Sequence, residues 1–163
     1  MKISTLFVMA IVLSPAAREW KVLESAEYRI QYPDDWSLDQ GGLSGTKFIL
    51  FSPDTEGRGF RNNVNLIIQD LAGMNISLKK YVEISESQVK QFITSAEILV
   101  STTKDDRHEI VYKGTQGEYF LKWKQYYWVK NEKAFVLTLT TTENSFDAAA
   151  GTANQIMNSF EIK

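Results

Sequence analysis

Large apolar and polar side chains alternate through Tyr28-Arg29-Ile30-Gln31-Tyr32, the period of a strand that buries one face. Pro33 removes a ladder donor and ends the run, and Trp36 is expected to fold back over the core. A shorter run at residues 20–23, set off by Glu24-Ser25-Ala26-Glu27, predicts a hairpin with it. Residues 37–46 carry Gly41, Gly42 and Gly45 among small polar groups and read as a surface loop. Phe48, Ile49, Leu50 and Phe51 are apolar without interruption, so residues 47–52 predict a strand covered on both faces. A second polar loop over 53–62 leads into a strand at 63–70, with Val64, Leu66 and Ile68 on one side.

The period then changes. Behind the N-cap candidate Ser77, the residues Leu78, Tyr81, Val82, Val89, Phe92 and Ile93 fall in one helical stripe. Ser85 lies inside that stripe and is expected to bond back to the preceding turn. Glu86 and Lys90 stand at pairing distance on its charged side. From about residue 97 to 142 the pattern predicts four strands in an antiparallel meander, with turns at 104–107, 113–117 and 130–133. The third strand sorts Tyr119, Leu121, Trp123, Tyr127 and Val129 to one face and Phe120, Lys122, Lys124, Tyr126 and Trp128 to the other. A closing helix, capped at Asn144 or Ser145, carries Phe146, Ala149, Ala150, Ala153, Ile156 and Met157 in one stripe. Strands and helices that segregate in this way imply an α+β fold.

Composition narrows the class. The 163 residues fit a single domain. Lys2, the apolar run 3–13 and Ser14-Pro15-Ala16-Ala17 together read as a secretory signal peptide, too short to be a transmembrane helix. Residues 1–17 are therefore expected to be removed, leaving one exported domain over 18–163, periplasmic or secreted, with no transmembrane segment. A net charge of −2 gives no global basic field to gather nucleic acid. The absence of cysteine excludes disulfides, thiolate metal sites and cysteine nucleophiles.

A strand running into Pro33-x-x-Trp36, the strand Asn63-Val64-Asn65 after a polar loop, and a last helix ending in Ser159-Phe160 resemble, in that order, the PsbP-like domains of photosystem accessory subunits and DcrB-type envelope proteins. The resemblance implies an antiparallel sheet with helices on both faces, a PsbP-like α/β/α sandwich. It also implies a binding or assembly module without a catalytic constellation.

Candidate chemistry is sparse. His108 is the sole histidine and stands in Asp105-Asp106-Arg107-His108-Glu109, beside a turn; Asp34, Asp35 and Asp39 form a second acidic group near Trp36. Neither group has metal-binding spacing, and no nucleophile elbow, phosphate loop or dinucleotide fingerprint occurs. No cofactor is expected. Arg58, Phe60 and Arg61 in the second loop, with Lys122, Lys124, Tyr126 and Trp128 on the third meander strand, cluster the cationic and aromatic groups that anchor protein partners. The strand admits two readings. Its aromatic groups either stand exposed as a platform or lie beneath a helix while the lysines extend past them to solvent. The expected function is non-enzymatic binding of another envelope or secreted protein. A small-molecule or glycan binder is the alternative, and a metal-dependent hydrolase using Asp34, Asp35 or His108 ranks below both.

Overall fold

The computed structural model describes residues 18–53 and 59–163. The opening hairpin pairs β1 (Trp20–Glu24) with β2 (Tyr28–Pro33). There follow β3 (Ser37–Asp39), β4 (Thr46–Phe51), β5 (Asn63–Asp70), α1 (Leu78–Phe92), β6 (Thr94–Lys104), β7 (Arg107–Gln116), β8 (Tyr119–Lys130), β9 (Lys133–Thr142), α2 (Phe146–Asn158) and β10 (Glu161–Ile162). Seven strands form one antiparallel sheet in the order β3-β4-β5-β9-β8-β7-β6, and β10 joins the hairpin in a three-stranded sheet of order β1-β2-β10. The fold is α+β, with one helix on each face of the large sheet, as the pattern and the resemblance imply.

Two cores lie on opposite faces of that sheet. On one, Tyr28, Ile30 and Tyr32 of β2 and Ala153, Ile156 and Met157 of α2 pack against Phe48, Leu66 and Leu137. On the other, Tyr81 and Val89 of α1 cover Ile110, Tyr112, Trp123 and Val136. The central strand β9 is buried on both sides, since Phe135, Leu137 and Leu139 enter the first core and Ala134 and Val136 the second. Ser159 ties the small sheet to α2. Its hydroxyl accepts from the Gln31 backbone N–H at 2.9 Å and donates to the Ile156 carbonyl at 2.7 Å. Phe160 then lies 6.1 Å from the Tyr28 ring and 5.3 Å from Trp128.

Local chemistry explains the element ends. Ser77 caps α1 by accepting from the Lys80 backbone N–H at 3.2 Å, and Ser85 donates back to the Tyr81 carbonyl at 2.8 Å. Glu86 accepts from Ser101 at 2.5 Å, which joins α1 to β6. The turn after β2 closes through a Trp36 N–H bond to the Pro33 carbonyl at 3.0 Å, and neither Asp34 nor Asp35 adopts a positive φ.

Three local expectations need correction. Residues 37–46 are not loop throughout, because Ser37–Asp39 pairs with β4 as a short edge strand. With one apolar residue in three, it has no period to read. The turn expected at 113–117 is only Gly117-Glu118, since β7 continues to Gln116. Phe92 belongs to the apolar stripe of α1 by spacing yet is 70% exposed, because the helix ends there and the chain enters β6 at Thr94.

Candidate functional site

The described part of the 53–62 loop is held at both ends. Ser52 N–H donates to the Asn62 carbonyl at 2.8 Å, and Phe60 packs on the Tyr119 ring at 5.2 Å. Arg61 is a staple: Nη2 donates to the Ser52 carbonyl and to Ser37 Oγ, each at 2.9 Å, while its guanidinium lies 5.0 Å from the Phe51 ring centre. Arg58 falls outside the described residues.

Phe60 and Arg61 border a cleft of about 450 Å³ between this loop, the Trp36 turn and the first turns of α2. Ser52, Asn62, Asn144 and Ser145 supply polar groups, while Ala148 and Ala149 keep the helix side low. Arg18 also lines it, paired with Asp35 at 2.5 Å and donating to Thr152 Oγ1 at 3.1 Å. Both arginines thus already satisfy acceptors of the protein. The cleft offers neutral hydrogen-bonding groups and a small apolar wall more than free positive charge.

The candidates on β8 divide. Tyr126 is 2% exposed and Trp128 9%, both within the core beneath α2. Tyr126 donates to Asn158 Oδ1 at 3.2 Å, and Trp128 is wedged between the Tyr126 and Phe160 rings. They are not an exposed aromatic platform, and that part of the expected binding surface is corrected: the apolar stripe of α2 needs a complementary sheet face, and this is part of it. Lys124 runs past them, its Nζ 3.1 Å from Asn154 Oδ1 and 3.5 Å from Glu109. Lys122 lies over the Phe146 ring with Nζ at 4.0 Å from its centre, beside the start of α2. Phe60 and Arg61 thus share the cleft with the start of α2, and Lys122 lies over the first residue of that helix without lining the cleft.

His108 is buried on the opposite face of the sheet. Its ring stacks on Tyr127 at 5.9 Å, with Nδ1 2.8 Å from Thr103 Oγ1 and Nε2 3.4 Å from Ser101 Oγ. Ser101 donates to Glu86, so Nε2–H faces the serine and Nδ1 accepts from Thr103. Burial holds the imidazole pKa below its usual value, opposed by the carboxylates of Glu86 and Glu109. A serine, a histidine and a carboxylate meet here, but the carboxylate contacts the serine and does not orient the imidazole as a base. Asp35 lies on the other face with Arg18, so the three residues required for the hydrolase reading do not converge. No group of three or more His, Asp or Glu among the described residues is placed to share a metal ion.

The fold as a whole is matched in known structures. The solution structure of cyanobacterial PsbP (CyanoP) from Synechocystis sp. PCC 6803 superposes with a TM-score of 0.63 at 14% identity, covering 96% of this chain and 98% of that one. The fold is PsbP-like. The same PsbP-like fold is shared by PA94, a protein of unknown function from Pseudomonas aeruginosa, with TM-score 0.61, 14% identity and coverage of 86% and 94% of the two chains. LpqN of Mycobacterium tuberculosis, involved in cell envelope biogenesis, matches with TM-score 0.64 at 12% identity over 89% of this chain and 91% of its own. No family profile and no curated protein matches the sequence. At these identities the likeness is one of fold.

Proposed function

We propose that this chain is an exported, non-enzymatic accessory protein of the cell envelope that works by binding a protein partner. The observation that carries the reading is the PsbP-like fold, shared over nearly the full length with CyanoP and with an envelope-biogenesis protein. The signal-peptide pattern of residues 1–17, outside the described residues, supports export. The separation of His108 from Asp34 and Asp35 supports binding over hydrolysis. No described helix is long and apolar enough to cross a membrane. The partner surface includes Phe60 and Lys122 at the start of α2. A cross-linking pull-down of the tagged protein from its native envelope fraction tests this. One protein enriched over a tag-only control, and reduced by Phe60→Ser with Lys122→Glu, is expected. Efficient cross-linking without a specific protein overturns the reading.

The cleft favours a second reading, a small-molecule or glycan binder, because its volume falls in the range of ligand sites. A ligand panel that raises the melting temperature in proportion to log concentration supports it. A flat panel removes it.

A further inference from the structure

We infer that the part of the β6 and β7 face that α2 leaves open, bordered by Lys122 of β8, docks an acidic segment of the protein partner. The inference rests on the partner-binding reading and specifies the surface and its chemistry. α2 contacts this side of the sheet through Asn154 and Asn158, which bond to Lys124 and Tyr126. Farther out, Val100 is 39% exposed and Thr102 and Lys104 are open to solvent.

Residues directly opposite in a ladder share a face, and alternate residues on a strand return to it. The register puts Lys104 opposite Arg107 and Lys113 opposite Lys122, with Val111 opposite Lys124. Five cations, Lys104, Arg107, Lys113, Lys122 and Lys124, thus share one side of three neighbouring strands in a chain whose net charge is −2. Two of the opposed pairs are like-charged, an arrangement that destabilises a sheet in isolation.

The protein neutralises only part of this charge. Lys113 meets Glu143 at 3.0 Å and Glu97 at 3.5 Å, and Lys124 meets Glu109 at 3.5 Å. Arg107 instead lies over the Tyr126 ring at 4.1 Å and Lys122 over Phe146 at 4.0 Å. Lys104, Arg107 and Lys122 have no carboxylate of the described residues within 4 Å. Phe120, on the same side as Lys122 and 68% exposed, supplies an apolar contact at one end, and Val100 another. An acidic segment with apolar side chains between its carboxylates complements this arrangement in charge and in polarity. A protein segment fits better than an anionic bilayer, because Glu97, Glu109 and Glu143 stand among the cations and a uniformly negative surface would repel them.

The probe is a fluorescein-labelled peptide alternating glutamate with leucine, titrated by anisotropy, with phosphatidylglycerol-containing vesicles in parallel. The expected result is peptide binding that weakens steeply with salt and falls by about tenfold or more in Lys104→Glu with Arg107→Glu. Lys79→Glu with Lys90→Glu on α1 makes the same change in net charge and should retain binding. Should the reversal variant lose its native circular dichroism, Lys104→Gln with Arg107→Gln takes its place. Equal losses in both charge variants would reduce the effect to net charge and overturn the proposal. Binding to vesicles and not to peptide overturns it in favour of a membrane, and binding to neither overturns it outright. A native pull-down that keeps its partner in the reversal variant removes this surface while leaving the partner-binding reading intact.

Discussion

His108, the sole histidine, is buried on the α1 face of the sheet. Its surroundings are Tyr127 from β8, Thr103 and Ser101 from β6, Glu86 from α1 and Glu109 beside it. Burial favours the neutral ring, so its folded pKa lies below the unfolded value near 6.5. The unfolded chain then binds more protons in the interval between the two values, and stability rises with pH across it. The contribution is full above the unfolded pKa and is lost as pH falls through the folded one. Urea denaturation at a series of pH values from 5 to 8 should show stability declining below about pH 6.5, with the slope flattened in His108→Gln. An unchanged slope in that variant would assign the dependence to the carboxylates. Gly114 answers to sterics alone: an added Cβ would stand 2.4 Å from Ile93 Cγ2 and 2.9 Å from the Thr94 carbonyl oxygen. Gly114→Ala should therefore destabilise the fold by about 1–3 kcal/mol, measured as a lower urea midpoint at unchanged m-value. A neutral result would mean that the passage from α1 into β6 yields easily.

At the scale of the element, periodicity identified both helices, the hairpin and all four meander strands, because each repeats its burial over enough residues to be read. It missed β3 for want of length and placed the end of β7 too early, because Gly114 reads as a turn glycine. The structure uses Gly114 instead for close approach of another stretch of chain, a long-range requirement invisible in a local window. The turn between β8 and β9 is a different matter. Asn131 and Glu132 both have positive φ, at 51° and 55°, as a two-residue type I′ hairpin requires. Asparagine tolerates this conformation, while glutamate carries a Cβ penalty of about 1–2 kcal/mol. Glu132 Oε1 recovers little of it by accepting from the exposed Gly73 N–H at 3.3 Å. Glu132→Gly should stabilise the protein by about 1 kcal/mol, seen as a rise of about 2–4 °C in melting temperature. A fall would show that the bond to Gly73 outweighs the backbone strain.

For the whole molecule, fold class and strand sequence were legible, but which helix lies over which face was not. Phe120, Lys122, Lys124, Tyr126 and Trp128 share a parity that alternation reveals. Only the position of α2 divides them into buried aromatic groups, a partly covered lysine and an open edge, and the basic face exists only through the register of β6, β7 and β8. The same central strands determine how the molecule should unfold. β8 sends Tyr126 and Trp128 into one core and Leu121, Trp123 and Tyr127 into the other, and β9 does likewise, so neither core can be lost while the shared strands stay ordered. The two cores should melt as one unit. Trp123 reports on the α1 side, and Trp36 and Trp128 on the α2 side. In Trp123→Phe, fluorescence should follow the α2 core, and in Trp36→Phe with Trp128→Phe chiefly the α1 core. Within each variant the urea transition by fluorescence should coincide with that by far-ultraviolet circular dichroism, as two-state unfolding demands. If fluorescence and circular dichroism separate in either variant, β8 and β9 do not couple the two sides. The α1 layer would then be a separately unfolding unit laid on a stable α2 core.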